Sequence, residues 1–198
     1  VDKKLEKGFS KSFIRTYIWY IKILEFMDKR YPIGNFDYEA EHSASEASML
    51  MDQVKELPSR IRSLVSELSE EELHTPYREN GWTPLQVLHH LGDSHLNSLI
   101  RFKLALTEDN PTIRPYDENA WTALGDYELM SVEKGLVFLE AVHSKWIAIL
   151  ETIKEGDWKR TFHHPESGID YTLINALAMY AWHGNHHFAH IELVKQNS

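Results

Sequence analysis

Apolar residues along this 198-residue chain recur at helical rather than strand spacing. Met49, Met51, Val54, Leu57, Ile61, Leu64 and Val65 return every three or four positions, which predicts a helix over 43–66 with a kink at Pro58, whose ring removes one backbone donor. Thr83-Pro-Leu-Gln has the form of a capping box with proline at the first helical position, so a second long helix is predicted from Pro84 to about Thr107. A third, capped by Ser131, carries Leu136, Leu139, Val142, Trp146, Ile149 and Ile153 to about Lys154. Thr172 is the expected cap of a fourth. Between these, 69–74 reads as an extra turn and 117–124 as a short helix, while 159–171 alternates around Pro165 and Gly168 as a small hairpin would. Four long amphipathic helices without a sustained strand pattern predict an all-α four-helix bundle with short extra helices.

The predicted fourth helix holds four of the twelve histidines in eight positions: His183, His186, His187 and His190. With His183 at zero and about 100° per residue, His187 falls at about +40°, His190 at about −20° and His186 at about −60°. Leu173, Ala176, Leu177, Tyr180, Ile191 and Val194 span about +20° to +120°, so His187 is expected in the core and His183 at its edge. His190 should border that face and His186 look outward. Buried unpaired imidazoles cost about 1–3 kcal/mol each, and a shared metal removes that cost, although two ligands do not complete a coordination shell.

The second helix offers His89, His90 and His95. Measured from His90, the apolar set Leu88, Leu91, Leu99, Phe102 and Leu106 lies between about 100° and 180°, with His95 at about 140° in its middle. Burial therefore favours His95. His90 instead shares a small, semi-polar stripe with Val87, Ser94, Ser98, Arg101 and Ala105, which suits a cavity lining. Periodicity leaves both open. His143 is expected as a lone residue at the core edge, and His163 and His164 as solvent-facing.

Composition narrows the chemistry. The chain has no cysteine, so any metal must be held by His, Asp or Glu, and a thiol must come from a substrate. A net charge of −9 argues against nucleic-acid binding, which needs clustered cations. Residues 1–30 carry a balance of +4 and 13–26 are apolar, but Arg15 and Lys22 interrupt the run. No membrane span or signal peptide is expected, and the reading is cytoplasmic. Residues 1–26 are set apart as an N-terminal extension to a domain over 27–198.

The stretch from Thr75 to Glu108, Ile113-Arg-Pro-Tyr-Asp-Glu, Ala181-Trp-His-Gly-Asn-His-His-Phe-Ala-His and Tyr31-Pro-Ile-Gly closely resemble the YfiT type of the DinB-like superfamily, over about residues 27–198. The resemblance implies a four-helix bundle carrying one divalent ion per subunit, zinc or nickel, on three histidines. By position these are His90, eight residues after Trp82, with His183 and His187; His95 remains the alternative that periodicity prefers. It further implies either a metal-dependent hydrolase or an S-transferase joining a low-molecular-weight thiol of the bacillithiol kind to an electrophile, the latter favoured because no general base is evident. A homodimer is the expected assembly, and a non-enzymatic metal-binding bundle is the third reading. Arg101 and Arg114 are candidates to bind a substrate carboxylate; Asp93 and Asn97 could orient an imidazole. Trp82, Trp121 and Trp182 are read as packing.

Overall fold

The computed structural model describes residues 28–196. The extension assigned to residues 1–26 lies outside them. Helix α1 (Ala47–Val65) follows a 3-10 turn at Ala44–Glu46, α2 (Glu70–Leu73) is a single turn, and α3 (Pro84–Thr107) is the second long helix. Two short helices, α4 (Glu118–Thr122) and α5 (Asp126–Leu129), precede α6 (Val132–Leu150); the hairpin β1 (Thr161–His164) and β2 (Ile169–Thr172) then leads into α7 (Leu173–Gln196). The strands pair antiparallel with Thr161 opposite Thr172. Among the described residues, no helix is long and apolar enough to cross a membrane.

Local chemistry accounts for most boundaries. Thr83 Oγ1 accepts the Gln86 N–H at 3.2 Å while Gln86 Oε1 accepts the Thr83 N–H at 3.0 Å, closing the predicted capping box of α3. At its other end Arg160 donates to the carbonyls of Ala105 and Glu108. Thr172 Oγ1 accepts from Asn175 N at the start of α7. Helix α6 stops at Leu150 rather than near Lys154, because the Thr152 hydroxyl turns back to the Ile149 carbonyl at 2.7 Å and Lys154 is extended.

Helices α1, α6, α3 and α7 each pack on the next, and α7 closes the ring against α1. Their apolar residues form two cores. One gathers Leu50 and Val54 of α1, Leu99 and Phe102 of α3, Trp146 of α6 and Leu177 of α7; the other gathers Leu57 and Ile61, Val87 and Leu91, Leu136 and Leu139, and Ile191. The order in which each helix meets the two cores makes α1 parallel to α7 and antiparallel to α3 and α6. Because α3 and α6 are parallel, residues 108–131 must return along the bundle. That crossover carries α4 and α5 past the level between the cores, where the histidines lie.

Gly184 of α7 lies close against α1. A Cβ there would stand 2.5 Å from Leu57 Cδ2, so the close neighbour is a core side chain and not backbone. Gly184→Ala is expected to cost about 1–3 kcal/mol through overpacking, lowering Tm by roughly 2–12 °C in a thermal melt. An unchanged Tm would mean that Leu57 yields freely.

Candidate metal centre

Between the two cores, α3 and α7 bring His90, His183 and His187 together. One nitrogen from each ring lies within 4.8 Å of the others, and His90 Nε2 is 3.2 Å from His183 Nε2. Two nitrogens bound to tetrahedral zinc at 2.0–2.1 Å stand about 3.3–3.4 Å apart, close to the 3.2 Å between His90 Nε2 and His183 Nε2. The donor set is imidazole alone, which suits several first-row divalent ions and contains no carboxylate to favour a harder one.

His95 is fully buried but outside this trio. Its Nδ1 is 2.7 Å from His143 Nε2, and its Nε2 is 3.3 Å from His183 Nδ1. Periodicity thus identified a residue of the site but not its place in it. His143 is not a lone residue at the core edge: its Nδ1 donates to the Val54 carbonyl at 2.8 Å. On the other side, His187 Nδ1 meets His190 Nδ1 at 3.3 Å, and His190 Nε2 donates to the Arg30 carbonyl at 3.3 Å.

His186 is buried rather than outward, and His190, which borders the trio through His187, is buried as well. Helix angles alone miss what covers them. Tyr77 stacks on His190 at 4.0 Å, Trp182 stacks on His186 at 4.6 Å, and Tyr31 closes over His186 from the segment before α1.

Burial holds these rings neutral. It pushes His90, His143 and His186 down to about 4 and His190 to about 3, and drives His95, His183 and His187 well below the ordinary histidine value. Neighbouring imidazoles add to the effect at all of these except His143 and His186. Neutral nitrogens are what a cation requires as ligands.

The trio opens onto a cleft of about 500 Å3. Trp82, which packs on His90 and His187, and Trp182 form part of its wall, so these two are lining as well as packing. Trp121 packs on Tyr116. Arg101 reaches the cleft from α3, nearly buried, with Nη1 donating to Tyr180 Oη at 2.8 Å. None of the ion pairs among the described residues includes it. Arg114 is exposed and does not line the cleft, although Pro115 and Tyr116 beside it do. His164 is half-buried and lines the cleft, against the expectation of solvent; His163 pairs with Asp170 at 2.7 Å. Neither polar candidate on α3 orients an imidazole of the trio: Asn97 donates to the Asp93 carbonyl, and Asp93 accepts from Tyr127.

With the geometry in place, the chain can be set beside known proteins. A family model described as the DinB superfamily matches residues 53–191. A Bacillus cereus protein named "Putative metal-dependent hydrolase" is 44% identical over 169 residues, covering 85% of this chain and 96% of that one. A similarly named protein from Oceanobacillus iheyensis is 44% identical over 165 residues, covering 83% and 95%. Among solved structures, YfiT from Bacillus subtilis, described as "a probable metal-dependent hydrolase with an unusual four-helix bundle topology", matches at TM-score 0.82 and 41% identity, covering 85% of this chain and 97% of its own.

Proposed function

The chain belongs to the DinB superfamily, and from that premise we propose that it is an enzyme using one divalent ion, zinc or nickel, on His90, His183 and His187 to activate a nucleophile. The observation that carries this reading is the trio itself: three neutral imidazole nitrogens within 4.8 Å at the end of an open cleft. Three protein ligands leave a coordination position free, the pattern of a catalytic rather than a structural site. When bound there, the ion lowers the pKa of the water or thiol that it holds.

The residues around it favour a thiol. The donor cluster holds no carboxylate to act as a base, and a thiol needs less help than water because its own pKa is lower. Arg101 is a buried cation whose hydrogen-bond partner among the described residues is a tyrosine hydroxyl, and such a charge is stabilised by an incoming anion. We therefore favour transfer of sulfur from a carboxylate-bearing, low-molecular-weight thiol of the bacillithiol kind. Arg101 grips the carboxylate, the S–C bond to the electrophile forms, the bond to the leaving group breaks, and the thiol proton passes to solvent. Hydrolysis is the second reading, favoured by the names of the relatives and by Glu118 and Glu166 at the cleft, either of which offers a carboxylate to take a proton from water. A homodimer is the proposed assembly, read out by light scattering.

Metal-loaded protein should be assayed with thiols plus an alkylating electrophile, and separately with esters and amides. Conjugation that saturates with a carboxylate-bearing thiol is expected. Arg101→Met should keep its metal while raising KM for that thiol about 10–100-fold, the worth of a charge-assisted hydrogen bond. If fully loaded protein consumes neither substrate class, the enzyme reading falls to the non-enzymatic metal-binding bundle.

A further inference from the structure

The direction of every hydrogen bond behind His183 follows from one proline. Pro58 lies inside α1 and has no N–H, so the Val54 carbonyl four residues earlier lacks its ordinary helical donor. His143 Nδ1 supplies one at 2.8 Å. A carbonyl can only accept, so His143 carries its proton on Nδ1. A neutral imidazole has one proton, which leaves His143 Nε2 as an acceptor. The 2.7 Å contact then requires His95 to donate from Nδ1, leaving His95 Nε2 bare. The next contact, at 3.3 Å, requires His183 to donate from Nδ1 in turn. His183 Nε2 is left with its lone pair directed at the trio, 3.2 Å from His90 Nε2.

We propose that His143 and His95 are positioning residues: a tautomer-ordering relay, anchored on the carbonyl that Pro58 frees, which presents His183 Nε2 as the ligand atom. The proposal deepens the metal reading and rests on it for its purpose, but the relay itself is a property of the metal-free chain. His95 and His143 are buried, and the ordering holds for rings that each carry a single N–H. The same logic applies in a shorter form to His187: His190 donates to the Arg30 carbonyl through Nε2, so its Nδ1 accepts from His187 Nδ1 and His187 Nε2 is bare. A metal-bound imidazole commonly donates its second N–H to a carboxylate, a carbonyl or water. Here that partner is another histidine, and the polarity comes from helix backbone two rings away.

Two-bond 1H–15N correlation spectra of metal-free, 15N-histidine-labelled protein at pH 7.5 read the tautomers directly. His143, His95 and His183 are expected as Nδ1–H forms. An Nε2–H form, or a mixture, at His95 or His183 would overturn the relay. In His143→Leu, His183 should become a tautomer mixture while His187 keeps its form, and zinc affinity should drop about 10–100-fold. A folded variant with an unchanged His183 signature would contradict the proposal; if the variant does not fold, the wild-type spectrum decides. Zinc titration separates the two readings. Ordered tautomers in a chain that takes up no zinc would support the relay and count against the metal reading, whereas zinc uptake with disordered tautomers would overturn the relay alone.

Discussion

His187→Ala is expected to purify with less than about a tenth of an equivalent of metal and to lose activity by roughly 10^3-fold or more. The estimate follows from what the ring does: losing a partner behind a ligand typically costs 10–100-fold, and losing the ligand itself must exceed that. Two remaining imidazoles do not make a closed site. The variant also strands His190 Nδ1, which His187 faces at 3.3 Å, so some loss of stability accompanies the loss of metal. His74→Ala is the matched control. That ring is exposed, bonds only within its own turn, and should leave metal content and activity unchanged. Elemental analysis of both variants after identical purification makes the comparison, and full metal content in His187→Ala would remove it from the site.

The second large effect is acid instability of the metal-free chain. His90 and His143 sit at about 4 when folded, against an ordinary value of 6.5. The unfolded chain therefore binds more protons than the folded one between those values, so stability is fully present above about pH 6.5 and is lost as pH falls towards 4. Each such group contributes on the order of 3 kcal/mol. Two of them approach the roughly 5–15 kcal/mol that hold a typical domain together, and His95, His183 and His187 act in the same direction. Urea midpoints should be level above pH 7 and fall steeply from pH 6.5 to 4.5. Bound metal competes with protons for the trio, so loaded protein should unfold at a lower pH and revert on chelation. A metal-free midpoint unchanged down to pH 4.5 would contradict the burial of these rings as neutral species.

The helices were legible because each carries its own instructions: the Thr83 box, the Ser131 cap and the Thr172 cap all act within a turn of the chain. The site was legible only in part, because periodicity gives a face on one helix and not the register between two. His183 and His187 share a face, and the structure does bring both to the cleft. On α3 the apolar face selects His95, since only the packing of α3 on α7 and α6 shows that this face meets His143 and the back of His183 while His90 meets the front. The resemblance points to His90, and the structure sets its Nε2 3.2 Å from that of His183, a register between helices that one helix alone does not carry. The burial of His186 and His190 depends on Tyr31 and Tyr77, more than 100 residues away in the chain, which no helical angle can foresee. Pro58 predicts a kink from the sequence; its further consequence, a carbonyl free for His143, appears only with α6 in place.

X-ray absorption at the metal edge of zinc-loaded, full-length protein tests the central claim most directly. One equivalent of zinc with three imidazole nitrogens at about 2.0–2.1 Å and one further light-atom ligand is the predicted spectrum, with a sulfur at about 2.3 Å replacing that ligand when thiol is added. A shell dominated by carboxylate oxygens, or one with fewer than three imidazoles, would contradict it.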